Sequence, residues 1–196
     1  RSASATVTVT VTGRNDIERL VDSFETPLSP ANRTSTFATT TSAYRETDGE
    51  RGSFQPTDGA AMARLEARGS PIAELERFLG LPPGALPKDS DGSSPAFGSA
   101  LKVRTTVAAG DEVSFDWMFD GRDAVTQPAD GFADNDYAVV VINDATGTRL
   151  FKLADMRAVG DHGATGWQTS MFEAERAGDL VIGFGVINDR SPEPLA

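Results

Sequence analysis

The sequence predicts an all-β fold: an antiparallel β-sandwich, jelly-roll-like, with one short helix. Three observations point there. Residues 5–12 read ATVTVTVT, which puts Val7, Val9 and Val11 on one face and Thr8, Thr10 and Thr12 on the other, the period of a half-buried strand. The second half of the chain is a succession of alternating or apolar runs at short spacing. Only one segment carries a clear helical period.

In chain order, the strand 5–12 runs into Gly13-Arg14-Asn15-Asp16, a turn-forming cluster, and the apolar pattern of the main domain starts at Ile17. Residues 1–16 therefore read as the tail of a preceding domain plus a linker, and residues 17–196 as one domain. Residues 20–24 make a first strand. Residues 27–59, rich in Thr, Ser, Gly and charge, predict short strands and long loops, and AAMARLE at 60–66 fits the strand and helix periods equally. The helix covers 71–81: Ser70 can cap it, Pro71 suits its first position, Ile72, Leu75, Phe78 and Leu79 share a face, and Gly80, Pro82 and Pro83 end it. Residues 84–98 read as a loop. Leu101, Val103 and Val107 alternate with Lys102 and Arg104, a turn follows at Ala109-Gly110-Asp111, and Val113, Phe115, Trp117 and Phe119 alternate with Ser114, Asp116, Met118 and Asp120. These two segments are expected to pair as a hairpin. YAVVVI at 137–142 reads as a strand covered on both faces, and 149–153, 167–173 and 180–187 supply three more. Trp117 and Trp167 are expected in the core, with Tyr44 and Phe54 as exposed contacts.

Composition narrows the function. At 196 residues and 39% hydrophobic content the chain supports one substantial core. The net charge of -11 disfavours nucleic acid and favours divalent cations as partners. With no cysteine, disulfides, thiolate metal sites and cysteine nucleophiles are excluded. No apolar run is long enough to span a bilayer, so membrane insertion is not expected, and any export signal lies outside this sequence.

The densest chemical feature is the stretch 111–144, which carries Asp111, Asp116, Asp120, Asp123, Asp130, Asp134, Asp136 and Asp144 with Glu112, Asn135 and Asn143, against Arg122 as its only base. Carboxylates crowded between aromatic strands repel one another without a counterion, and oxygen-only donors suit Ca²⁺, which takes about 6–8 of them. Asp120, Asp130, Asp134, Asn135 and Asp136 are the first metal-site candidates, where a strand end meets a glycine-containing loop (Gly121, Gly131). Asp58, before Gly59, and Asn188-Asp189 form a second group that could meet at one end of the sandwich, and Glu25 at the end of the first strand is a further candidate. The alternative for all of these is a set of ordinary turn residues. More than one bound ion is expected, and calcium-bound loops complete the predicted fold class.

Several segments together carry a family resemblance. SFE at 23–25, PTDGAAMARL at 56–65, ERFLGLPPGAL at 76–86, GSALKVRTTVAAGDEVSFDWMF at 98–119, NDYAVVVI at 135–142, TGWQT at 165–169 and AGDLVIGFGVIND at 177–189, in that order, resemble the peptide-binding-like module of bacterial repeats-in-toxin adhesins. ATVTVTVTGRND resembles the closing strand of the cadherin-like or immunoglobulin-like repeats of adhesin stalks. The resemblance implies an extracellular, calcium-dependent domain at the bacterial cell surface, a monomer within a long chain, that grips the C-terminal end of a partner protein. Family members continue past GFGV into a last strand that closes the sheet beside the first; here the sequence runs to Pro192-Glu193-Pro194-Leu195-Ala196.

A carboxylate ligand, or a glycan with adjacent hydroxyls, can take a coordination position that water otherwise fills, so both ligand classes stay open. Asp58, Gly59, Asp120, Asp136, Asn188 and Tyr44 are the residues expected to touch it. Catalysis is poorly supported: His162 is the only histidine and no serine lies in a G-x-S-x-G elbow. A sugar hydrolase using two carboxylates such as Asp116 and Asp136 is the enzyme alternative, and a structural stalk spacer is the other.

Overall fold

The computed structural model describes residues 4–12, 18–22, 24–45, 53–88, 94–121, 135–160 and 163–188, with the backbone alone for 4–6, 8–12, 18–22, 44–45 and 53. Its strands are β1 (Ser4–Thr12), β2 (Glu18–Asp22), β3 (Ala38–Thr41), β4 (Tyr44–Arg45), β5 (Ser53–Phe54), β6 (Met62–Glu66), β7 (Ser70–Pro71), β8 (Phe97–Val107), β9 (Glu112–Asp120), β10 (Tyr137–Asp144), β11 (Gly147–Asp155), β12 (Gln168–Glu173) and β13 (Gly178–Asn188). The helices are α1 (Ile72–Leu79) and the single turn α2 (Met156–Val159). Every strand pairing is antiparallel. One sheet has the order β12-β9-β1-β6-β3, with β2 also paired to β1, and the other has the order β11-β10-β13-β8-β7. This is the all-β sandwich expected from the sequence.

The alternation in β9 and the continuous apolar run of β10 explain the packing between the sheets. Val113, Phe115 and Phe119 from one sheet meet Leu101, Val140 and Phe184 from the other in a single core, and the Phe115 and Phe184 rings pack edge to face with centroids 5.2 Å apart. Residues Tyr137–Ile142 of β10 are all buried because the second sheet is covered outside as well. There Leu75 and Leu79 of α1, with Leu81 and Leu86, pack on Tyr137, Val139, Val141 and Ile187. The GFG run in β13 makes room for this helix: Phe184 points inward, whereas a Cβ added at Gly183 would lie 2.6 Å from the Leu79 side chain. Each buried leucine on that face contributes about 1.5–3 kcal/mol.

Several local expectations change. The helix begins at Ile72, and Ser70 does not cap it: the Ser70 hydroxyl donates to the Thr34 carbonyl, and Ser70-Pro71 pair with β8 instead. Its end is as expected, with Gly80 in the left-handed region at φ 77° and the Leu81 N–H donating to the Glu76 carbonyl. Lys102 then reaches over Phe78 and donates to the Phe78 carbonyl at 2.6 Å, a cation on the negative end of the helix. The first strand of the main domain is Glu18–Asp22, leaving Phe24 outside it, and the ambiguous 60–66 run is a strand from Met62. Trp117 is buried, with its Nε1 donating to the Ser170 hydroxyl at 2.9 Å. Trp167 is only half-buried: it lies with Phe54 on Met62 and Met118 outside the first sheet, its Nε1 donating to the Gln55 carbonyl. Phe54 is accordingly a packing residue rather than a free contact.

The expected hairpin of residues 101–107 with 113–119 does not form. The two segments belong to different sheets, β8 pairing with β13 and β7, and β9 with β1 and β12. Alternation predicts a strand but not its neighbour, and the turn at Ala108–Asp111 arches from one sheet to the other. Gly110 donates to the Ala174 carbonyl at 2.7 Å and Ala174 donates to the Asp111 carbonyl at 2.8 Å, which ties this arch to the β12–β13 connection, a second crossing between the sheets.

The largest difference concerns the N-terminus. Residues 1–16 read as the end of a preceding domain, yet β1 is a central strand of this sandwich: all nine of its residues pair with β9, from Ser4 opposite Asp120 to Thr12 opposite Glu112. Its other edge is shared by β6 at Ser4–Val7 and β2 at Val9–Thr12, and Val7 is buried in the inter-sheet core. The alternation that suggested a foreign stalk strand is equally that of a local strand with one face inward. Deletion of residues 1–12 is therefore expected to abolish the cooperative thermal transition followed by circular dichroism; a truncated chain that melts like the full one would place the strand outside the domain.

Candidate functional site

Asp120 at the end of β9 and Asp136 ahead of β10 lie at the end of the sandwich that carries α2. β9 ends in Asp120, which is fully buried, and its backbone bridges to Ala164. Gly121 follows and lies against α2: a Cβ there would come within 3.0 Å of Val159 and 3.3 Å of Met156. The Gly121 N–H donates to the Gly163 carbonyl at 2.8 Å. On the other sheet, Asn135 (1% exposed) and Asp136 (2% exposed) lead into β10, and the Met156 N–H donates to the Asp136 carbonyl at 3.0 Å. Met156 thus contacts both strand ends. Asp120, Asn135 and Asp136, three of the predicted metal candidates, flank the two ends of residues 122–134.

Sequence reasoning missed α2 and its cap. Asp155 accepts the Ala158 N–H at 2.7 Å, an N-cap whose signal, an Asp ahead of helix-forming Met156-Arg157-Ala158, is visible in the sequence. Burial alone would raise the Asp155 pKa. Hydrogen bonds from Lys152 and Ala158, the Lys152 charge and a hydrogen bond from Asn135 outweigh it and hold the carboxyl below the ordinary range.

The other candidates separate. Asp130, Asp134 and Asp189 lie outside the described residues. Glu25 and Asp58 belong to a second locus: Glu25 Oε1 accepts the N–H groups of Ala60 at 2.7 Å and Ala61 at 3.1 Å, anchoring the loop in which Asp58 and Gly59 are exposed. Phe24, buried with φ 62°, turns the chain there so that its ring enters the core while Glu25 faces the loop. Asn188 does not join this group. It ends β13 opposite Phe97, at the end of the sandwich where Glu66 bonds Ser99, while the Asp58 loop enters at Met62, the other end of β6. The length of β6, about 13 Å at the usual rise, separates those levels. Tyr44 pairs with Phe54 in the short ribbon β4–β5, a separate two-stranded sheet.

Asp111, Asp116 and Asp144 take the bland role of organising the backbone and its neighbours. Asp111 accepts the Ala108 N–H in the arch, Asp116 accepts the Thr169 hydroxyl, and Asp144 accepts the Thr146 N–H and hydroxyl and pairs with Arg149 at the β10–β11 turn. Asp116 lies on the outer face of the first sheet beside Thr169, and Asp136 leads into β10 of the second.

Asp120 and Asp136 offer hard oxygen donors of the kind calcium takes. Among the described residues no three histidine, cysteine or acidic side chains group closely enough to hold a metal ion, so these two carboxylates need further donors to complete a site. Among the described residues, too, no helix is long and apolar enough to cross a membrane.

Asp144 allows a test of the turn role. Burial raises its pKa, but Thr146, Arg149 and the Gly147 N–H outweigh that and leave it below the ordinary carboxyl value. A depressed folded pKa contributes stability that is complete above the unfolded value, about 3.9, and is lost as pH falls through the folded one. Asp144→Asn is expected to lower stability at pH 7 by about 1 kcal/mol in denaturant titrations, with the gap from wild type closing below about pH 4. A gap independent of pH would contradict this.

The chain matches no family model, no curated protein and no solved structure with which it was compared.

Proposed function

We propose that this chain is a calcium-dependent ligand-binding module of a bacterial surface adhesin, acting outside the cell as a binder and not as an enzyme, with the free C-terminus of a partner protein as its ligand. The observation that carries the reading is the burial of Asp120 and Asp136 at the two ends of residues 122–134, a segment that adds Asp123, Asp130 and Asp134 and only one base, Arg122. Two buried carboxylates in a stretch of sequence that holds three more, on a chain of net charge -11, suit a bound cation. Oxygen donors alone select calcium over zinc or copper.

Asp120 and Asp136 are the described residues that would offer the ion carboxylate oxygens. Bound calcium supplies a positive centre that a peptide carboxylate can reach in spite of the acidic surface. Asp120 comes from one sheet and Asp136 from the other, so the same carboxylates that bind the ion also link the sheets, and binding is expected to raise stability as well as create the ligand site. The motif order of the sequence supports the peptide reading over a spacer.

The test is a titration of chelator-treated protein with calcium, followed by peptides with free or amidated C-termini and a panel of simple sugars. At 100 times the dissociation constant calcium should add about 2.7 kcal/mol of stability. Asp136→Asn should weaken its binding at least tenfold, and peptide binding should need both calcium and a free carboxylate. Binding to sugars alone would make the ligand a glycan. The absence of both a calcium-dependent rise in melting temperature and calorimetric calcium binding would overturn the reading.

A further inference from the structure

We infer that Asn135 is a positioning residue, which locks α2 onto the entrance of β10 and does not itself ligate the ion. A metal is bound by asparagine through Oδ1. In Asn135 that oxygen faces the first turn of α2, accepting the Arg157 N–H at 3.1 Å, and the side chain also hydrogen-bonds Asp155. With Oδ1 on a donor, the amide nitrogen is the end that faces the Asp155 carboxylate, so the amide is oriented at both ends by the α2 turn. Asp155 in turn accepts the Ala158 N–H at 2.7 Å, and the neighbouring Asp136 carbonyl accepts the Met156 N–H at 3.0 Å. Residues 135–136 and 155–158 are therefore zipped together backbone to side chain, with Asn135 buried at the centre. The backbone that carries Asp136 is set by this zipper, and Met156 passes the constraint on to Gly121 beside Asp120.

The effect on calcium rests on the function proposed above, whereas the zipper stands without it. Three variants separate the two. Asn135→Asp keeps an acceptor for Arg157 but turns a carboxylate toward Asp155. Asp155→Asn alone keeps an acceptor oxygen for the Ala158 N–H but gives up the ion pair with Lys152, and it sets the baseline for the double exchange. The double exchange, Asn135→Asp with Asp155→Asn, rebuilds the donor–acceptor pair in reverse.

Calorimetric melting of the metal-free protein and titration with calcium alone are the readouts. Asn135→Asp should lower the metal-free melting temperature and weaken calcium binding about tenfold, and the double exchange should recover most of both. Two results would overturn the inference: Asn135→Asp that binds calcium as tightly as wild type or more tightly without loss of metal-free stability, as expected of a ligand, or a double exchange no better than the sum of its parts. If wild type binds no calcium, the proposed function falls, and recovery of metal-free stability in the double exchange still decides the zipper.

Discussion

The ladder between β1 and β9 is the interaction on which the rest of the structure depends. Among the described residues β1 is the only link in its sheet between the β9–β12 half and the β6–β3 half, and all nine of its residues pair with β9. Removing it would leave β9 and β6 with unpaired edges in the interior of a sheet, where each orphaned backbone group costs about 1–3 kcal/mol. The same ladder sets the level of Asp120, which stands opposite Ser4 at its end. Position along β1 therefore decides which end of the sandwich carries the buried acid.

The second constraint is the arch geometry. Both the β8–β9 and β12–β13 connections cross between sheets, and their hydrogen bonds through Ala174 hold one end of the sandwich closed. At the opposite end the sheets are joined by α2, which bonds to Asp136 and packs on Gly121. Among the described residues, the buried polar side chains Asp120, Asn135 and Asp136 lie at the α2 end. This asymmetry is why the candidate site is assigned to one end and not spread through the acidic stretch.

How far the sequence was legible follows from the range of each signal. Local periodicity identified β9, β10 and β13 and the buried face of α1, because alternation and helical spacing are written in neighbouring residues. It could not tell that residues 101–107 and 113–119 pair with different partners, since a four-residue turn serves a hairpin or an arch equally well. Nor could it assign ATVTVTVT to its own domain, because a strand of this pattern fits any sheet with one wet face. Among the acids, Asp120 and Asp136 are buried at the strand ends that the sequence marks, whereas the contact of Asn135 Oδ1 with the Arg157 N–H is not written in neighbouring residues. The second group failed because Asp58 and Asn188 are joined only by a guess at strand order.

The measurement that tests the account most directly is amide hydrogen exchange with and without calcium. If the ion joins the two sheets at the α2 end, exchange should slow at Gly121, Asp136, Met156 and Arg157, while the Ala108–Asp111 arch and Ala174 at the far end remain unchanged. Calcium that alters no amide, or that alters both ends equally, would contradict a site between Asp120 and Asp136.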